Sequence, residues 1–237
     1  RLQSLQIDVE VSAGVAETRV VMEFFNPNNR VLEGELQFPL LAGQTVTGFA
    51  LDVNGKLRDA VPVEKARAQE VFEDIARQRV DPGLLQSTLG NNYKLRIYPL
   101  NPRSSRTVAI RLSESAGATL QIPLAYAESV KHFALVLRYP SASTTPKLQG
   151  SNPLNLRFLA DPKGGFSASI QGADINLPRN ALQISSATDS AVLMITERRE
   201  GEEYFTVGLP LKFEMQPRKL PQRMMLVWDA SASGANR

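Results

Sequence analysis

Apolar and polar residues alternate with a period of two along much of the first 112 residues. Leu5, Ile7 and Val9, for example, are separated by polar residues, which is typical of a strand with one buried face. Asn54-Gly55 lies between Phe49–Val53 and Lys56-Leu57 and predicts a tight hairpin turn. We therefore predict antiparallel β structure for residues 1–112.

The period changes to helical spacing between Glu64 and Arg79. Apolar residues on one face of this segment are Ala68, Val71, Phe72, Ile75 and Ala76. Glu64 suits the positive end of a helix and Arg79 the negative end. Asp81-Pro82 predicts where the helix stops, because the residue before proline avoids helical geometry. One amphipathic helix is therefore predicted within the first β region.

A second β-rich region without helices follows over residues 113–220. Its candidate strands cover residues 118–124, 133–139, 154–159, 166–170, 191–196 and 204–211. Short strands separated by turn-rich segments favour a β-sandwich. The periodicity leaves open whether this region is a second domain or an extension of the first sheet. Residues 215–222 contain two prolines and are interpreted as a linker.

The last residues combine an apolar segment with a group of oxygen-bearing side chains. Met224–Trp228 has the length and character of a buried strand, and Asp229, Ser231 and Ser233 follow it directly. A hard divalent cation such as Mg²⁺ prefers oxygen ligands. In open α/β sheets, ligands bind just beyond the carboxyl ends of the strands. These three residues are our candidate metal ligands, although a serine-rich turn is the simpler alternative.

Composition narrows the possible classes of protein. The 237 residues are 43% hydrophobic and 22% charged, as in an ordinary globular protein. Because there is no cysteine, disulfides and thiol catalysis are excluded. No apolar run approaches the roughly 20 residues of a membrane-spanning helix. The compartment stays open on these grounds.

Basic residues dominate one part of a chain whose net charge is only +3. Seven lysines and arginines lie between Arg77 and Arg111, against Asp81 alone. Such a stretch could attract an anionic partner. No nucleic-acid motif accompanies it, so we favour the simpler interpretation that Lys94 and Arg96 face solvent between buried neighbours, and we expect no nucleic-acid partner.

Catalytic chemistry has little support in the sequence. The acidic residues Glu64, Glu70, Glu73 and Asp74 lie on the predicted exposed face of the helix, where no pocket would shift their pKa values. His132 is the only histidine, and no triad can be assembled around it. We predict no catalytic residues and no cofactor-binding residues. The chain is expected not to be an enzyme.

Three stretches carry a resemblance to a known family. They are the helix from Val63 to Ala76, the segment Asp81-Pro-Gly-Leu-Leu-Gln86, and the segment from Asn91 to Pro99. Together they resemble the VIT domain, the vault protein and inter-alpha-trypsin inhibitor module, over residues 1–112. Such domains commonly precede a von Willebrand factor A domain, and Met224–Ser233 resembles the first strand and metal loop of that domain.

The resemblance implies a mainly β chain in three parts. A VIT β-sandwich with one amphipathic helix (1–112) would precede a β-sandwich-like region (113–220) and the linker and first strand of a truncated α/β A domain (221–237). The implied function is non-enzymatic adhesion, with a divalent cation such as Mg²⁺ linking the full-length protein to a protein or extracellular-matrix-like ligand. A structural scaffold without metal-dependent binding is the alternative.

The resemblance also limits what these residues could do alone. A complete A-domain site needs a threonine and a further aspartate from later loops, so we interpret the chain as a fragment. Asp229, Ser231 and Ser233 alone are expected to leave the site empty, because they do not offset the cost of ordering the loop. A bacterial cell envelope or extracellular location is expected, and the oligomeric state is open.

Overall fold

In the computed structural model, the residues described are 1–12, 14–62, 64, 67, 83–88, 92–116, 119–140, 142–185, 193–199, 201–209, 223 and 225. They are mainly β. Their strands, in chain order, are β1 (Leu2–Ser12), β2 (Val15–Phe25), β3 (Leu32–Pro39), β4 (Thr45–Val53), β5 (Lys56–Asp59), β6 (Gly83–Ser87), β7 (Asn92–Leu100), β8 (Ser105–Ser115), β9 (Thr119–Ile122), β10 (Ser129–Tyr139), β11 (Lys147–Gln149), β12 (Leu159–Ala160), β13 (Phe166–Asn176), β14 (Leu182–Ser185), β15 (Leu193–Arg199) and β16 (Glu202–Gly208).

The largest sheet among the described residues has eight strands. Its strand order is β12-β13-β10-β1-β2-β8-β4-β5. Two three-stranded sheets, β3-β7-β6 and β11-β14-β9, and the hairpin β15-β16 complete the described strands. Within the large sheet, the order does not follow the chain, because strands from beyond residue 112 occupy one side of it.

The two halves of the large sheet meet at a parallel strand pair. β1 pairs with β10 in parallel, so that Ile7 lies beside Leu135 and Val9 beside Leu137. The described neighbours within the large sheet are otherwise antiparallel. The region after residue 112 therefore extends the first sheet through β10, β12 and β13.

Alternation along β1 shows how the sequence specifies these strands. Leu5, Ile7 and Val9 are fully buried, whereas Gln6 and Glu10 are exposed. A period of two places successive side chains on opposite faces, so one face of the sheet is apolar and the other polar.

One hydrophobic core connects the large sheet with both three-stranded sheets. Leu5 and Ile7 of the large sheet share it with Ile97 of β7 and with Leu182 and Ile184 of β14. Burial of apolar surface contributes about 25 cal/mol per Å², so this shared core is the main force that holds the sheets together.

The edges of the large sheet are short. β5 is a four-residue strand whose residues are all exposed, and β12 has only two residues. Short and charged edge strands reduce edge-to-edge association.

The predicted hairpin before β5 is confirmed, because Asn54 and Gly55 both have positive φ angles, of 54° and 78°, as a type I′ turn requires.

Local differences from the sequence-based expectation occur after residue 113. Of the strand predicted over 154–159, only Leu159 lies in a strand. Leu154 and Leu156 are buried in the core from an irregular loop. The Asn152 side chain holds this loop, since its Oδ1 accepts a hydrogen bond from the Leu156 N–H and its Nδ2 donates to the Leu156 carbonyl, both at 2.9 Å. The apolar residues of this segment therefore mark burial in the core and not a paired strand.

The structure confirms the prediction of a mainly β chain and shows that its large sheet is mixed. The helix predicted over 64–79, apart from Glu64 and Arg67, and the strand Met224–Trp228, apart from Met225, lie outside the described residues. The sandwich, the amphipathic helix and the A-domain strand stay predictions. No helix among the described residues is long and apolar enough to cross a bilayer.

Candidate functional site: an arginine corner

The predicted metal ligands Asp229, Ser231 and Ser233 all lie outside the described residues. In the part of the chain that is described, no group of three or more histidine, aspartate or glutamate side chains is placed to hold a metal ion. The metal site therefore stays a prediction from the sequence.

His132 lies on the outer, solvent-facing side of the large sheet, close to the start of β10. Its neighbours across the sheet are Ser4 of β1 and Ala173 of β13. With Gln6 and Gln171 these residues line a shallow, open depression of about 410 Å³. No hydrogen bond among the described residues joins His132 to a carboxylate, which a Ser-His-Asp arrangement would need.

The structure divides the basic stretch between Arg77 and Arg111 into residues with different surroundings. Lys94 and Arg96 alternate with the buried Leu95 and Ile97, as predicted. Lys94 pairs with Glu35 at 2.7 Å and Arg96 with Glu33 at 2.6 Å. Antiparallel pairing of β3 with β7 brings these charges together.

Both pairs lie at the surface, where ion pairs contribute little to stability. The Lys94 hydrogen bond, helped by one from Gln37, lowers the pKa of the Glu35 carboxyl. Arg111 is paired in the same way, with Asp59 at 2.8 Å. Three charges of the basic stretch are thus offset by carboxylates on neighbouring strands.

A second group of basic residues gathers where β2 ends and β8 begins. We call it the arginine corner, and it consists of Arg1, Arg30 and Arg103, all exposed. Phe25 is paired with Ser105, and Arg1 lies over the Phe25 ring at 5.9 Å from guanidinium carbon to ring centroid. The backbone N–H of Arg103 donates to the Asn28 carbonyl at 3.3 Å. Loops far apart in sequence therefore meet at this corner.

Asn26 is the buried centre of the arginine corner, with 1% of its surface exposed. Its Nδ2 donates to the carbonyls of Arg30 and Leu100, each at 2.8 Å. Its Oδ1 accepts from the Asn28 N–H at 3.0 Å. One side chain thus fixes the loop after β2 against the segment before β8. The local sequence, Asn26-Pro-Asn-Asn29, is typical of a turn and does not reveal this buried role.

Arg103 has an uncommon backbone conformation for a side chain of its size. Its φ angle is 54°, in the left-handed region that non-glycine residues rarely occupy. Its Nε donates to Asn29 Oδ1 at 2.9 Å, which directs the side chain along the loop after β2. Its place in the corner was not visible in the sequence.

The opposite end of the sheet carries a partly buried carboxylate, Glu114. Gln44 Nε2 donates to Glu114 Oε1 at 2.7 Å, while the Leu41 N–H donates to Gln44 Oε1 at 3.0 Å. Burial raises the pKa of Glu114, and the hydrogen bond from Gln44 partly counteracts this. The ionised carboxylate is therefore less favourable here than in the unfolded chain.

Glu114→Gln is expected to stabilise the protein slightly at pH 7. Because folding raises the pKa of Glu114, its protonated form stabilises the folded state. This contribution is complete below the unfolded pKa of about 4.5 and is lost as the pH rises through the higher folded pKa. The amide cannot ionise and keeps the acceptor for Gln44. We expect a gain below about 1 kcal/mol, because the group is partly solvated.

Thermal melts between pH 4 and pH 8 would measure this effect. The gain over the wild type should grow as pH rises and disappear towards pH 4. Glu17→Gln, at an exposed position on β2, is the control. A variant that is less stable than the wild type at pH 7 would contradict the role assigned to burial.

Comparison with known proteins finds a family match in the first part of the chain. Residues 2–112 match the family model of the Vault protein inter-alpha-trypsin domain. No curated protein is significantly similar to the chain in sequence.

Among the solved structures, one adds a likeness of fold. A candidate nutrient binding protein from Legionella pneumophila has a TM-score of 0.50 at 12% identity, over 78% of this chain and 65% of that one. A candidate protease from Parabacteroides distasonis has a TM-score of 0.43 at 12% identity, over 88% of this chain and 40% of that one. This chain thus spans less than two thirds of the Legionella protein. The family match covers β1 to most of β8, so the likeness to the VIT family lies within residues 2–112.

Proposed function

We propose that the chain is a non-enzymatic protein-interaction scaffold built on a VIT domain. The match of residues 2–112 to the VIT family is the observation that carries this proposal, because a VIT domain suggests a protein-interaction or scaffold module. The continuous sheet supports it, since β10 and β13 join the VIT strands directly. The first function of the chain is thus to present surfaces to partner proteins.

The finer proposal is metal-dependent adhesion. In a longer protein that carries an A domain, Asp229, Ser231 and Ser233 would supply part of the oxygen shell of Mg²⁺. A threonine and a further aspartate from later loops would complete the protein ligands. A carboxylate of the bound protein or matrix ligand would then occupy the last position.

Calorimetric titration with Mg²⁺ tests the metal site in a protein that includes a complete A domain. We expect Asp229→Ala to weaken Mg²⁺ binding at least about tenfold, because it removes the only charged ligand of the three. Glu17→Ala, on β2, is the matched control and should leave the affinity unchanged. Equal affinity in the wild type and Asp229→Ala would refute the metal site.

The second candidate function is assembly through β surfaces without metal, and the hairpin β15-β16 favours it. Along this hairpin Met194 pairs with Val207, and Phe205 pairs with the residue two positions after Met194. Met194 and Phe205 are 62% and 71% exposed. Exposed apolar groups of this kind commonly mark interaction surfaces. Partner binding that persists in Asp229→Ala and in a chelator would support this function over adhesion.

A further inference from the structure

We propose that the arginine corner, Arg1 with Arg30 and Arg103, binds a carboxylate-rich segment of a partner protein. The inference rests on the proposed scaffold function in one respect, namely that the partner is a protein. The corner itself is argued from its charges, its fixed loops and the distribution of acidic residues over the sheet.

The first step is the contrast between the corner and the rest of the basic stretch. Arg96 and Arg111 are paired with carboxylates, as is Lys94. Within the described part of the chain, the contacts of the corner arginines involve a ring, an amide and the backbone, and none is an ion pair. The described residues therefore supply no carboxylate that offsets the positive charge of the corner.

The second step is that the corner is held in place before any partner arrives. Asn26 binds the Arg30 and Leu100 carbonyls, and the Arg103 N–H is bound to the Asn28 carbonyl. Asn29 further directs the Arg103 guanidinium. Because the loops are already ordered, a partner meets a smaller entropic cost on binding than it would with free loops.

The third step is the charge at the two ends of the sheet. β1 begins at the arginine corner, and at its other end Glu10 lies directly across from Glu17 of β2. Glu114 follows at that same end, beside Ala16. That end carries charges of both signs, because Arg138 of β10 is the other neighbour of Glu10, whereas the corner carries three arginines that form no ion pair among the described residues. An anionic segment is therefore attracted more strongly to the corner.

The chemistry of the corner favours carboxylates over nucleic acid. The planar guanidinium group forms two parallel hydrogen bonds with one carboxylate, a geometry that lysine does not offer. Exposed amides of Asn28 and Asn29 add neutral hydrogen-bonding groups. Single-stranded nucleic acids also need aromatic platforms for their bases. The aromatic ring identified at the corner, Phe25, is already covered by Arg1.

Fluorescence anisotropy with a dye-labelled peptide of about ten glutamates tests the proposal at low ionic strength, where exposed charges are least screened. We expect Arg30→Gln/Arg103→Gln to bind at least about tenfold more weakly than the wild type. The control, Arg157→Gln/Lys163→Gln, removes the same charge from exposed positions before β13, at the other end of the sheet. It should change the affinity less than about twofold.

Arg30→Glu provides a second variant, because the Arg30 side chain is exposed and its substitution leaves the Asn26 bond to the Arg30 carbonyl in place. It should weaken peptide binding by more than about tenfold, since the charge is reversed. Unchanged melting temperatures would show that both variants are folded.

Three results would overturn the proposal. They are absence of peptide binding in the wild type, equal loss in the corner variant and in the control, and tighter binding of a sulfated oligosaccharide than of the glutamate peptide. Mg²⁺ titration of Asp229→Ala addresses a different part of the chain. A failure of the metal site would therefore leave this result standing, and a failure of the corner would leave the metal site untouched.

Discussion

Gly165→Ala is expected to lower the free energy of unfolding by about 3 kcal/mol or more. Gly165 lies in the turn between β12 and β13, with a φ angle of 70°. A Cβ atom there would meet the Tyr139 carbonyl oxygen and the Pro140 backbone, within 2.7 Å. Backbone atoms cannot give way as a flexible side chain can, so the turn would have to move away from the end of β10.

The control for this prediction is Gly150→Ala. Gly150 has nearly the same φ angle, 73°, but a Cβ atom there would meet nothing within 4 Å. This variant carries only the conformational cost of the left-handed region, about 1 kcal/mol. Chemical denaturation would measure both variants. A loss at Gly165 no larger than that at Gly150 would mean that the turn relaxes freely.

Asn26→Ala should also lower the free energy of unfolding by about 3 kcal/mol, because three hydrogen bonds of about 1 kcal/mol each would be lost and the buried Leu100 carbonyl would lose a donor. The side-chain amide of Asn26 donates to the carbonyls of Arg30 and Leu100 and accepts a hydrogen bond from the Asn28 N–H. Asn26→Asp should lower the free energy of unfolding at least as much as Asn26→Ala, because it replaces the donating nitrogen by an oxygen that faces two carbonyls. Urea denaturation would give the change for each variant.

Asn29→Ala separates the buried network from ordinary loop contacts. Asn29 is exposed, and its side chain accepts a single bond, from Arg103 Nε at 2.9 Å. We expect a change below about 0.5 kcal/mol for this surface substitution. If Asn26→Ala behaved like Asn29→Ala, water would be replacing the lost amide and the corner would not depend on Asn26.

Periodicity predicted the strands well where one face of a strand is buried and the other meets solvent. In β1 the alternation of Leu5, Ile7 and Val9 with polar residues marks both the strand and its buried face. The same argument placed Lys94 and Arg96 on the solvent side. It could not identify Glu35 and Glu33 as their partners, because alignment between β3 and β7 is not encoded in either strand alone.

The features that were missed depend on contacts between distant segments. Pairing of β1 with β10 joins residues more than 100 positions apart, and local patterns carry no information about it. Asn26 was visible only as a turn residue, because its hydrogen bond to the Leu100 carbonyl spans 74 positions. The metal ligands Asp229, Ser231 and Ser233, by contrast, rest on sequence alone.

The central position of β1 has a consequence for how the protein is made on the ribosome. β1 is synthesised first of the described strands, yet one of its two neighbours, β10, ends at Tyr139. At a translation rate of ~5–20 residues per second, roughly 6–25 s pass between the synthesis of β1 and the completion of β10. Its backbone donors and acceptors on that side stay open meanwhile, beside Leu5 and Ile7. The nascent chain therefore exposes an unpaired strand edge that can associate with other chains. A chaperone, or slow expression at low protein concentration, would limit this association.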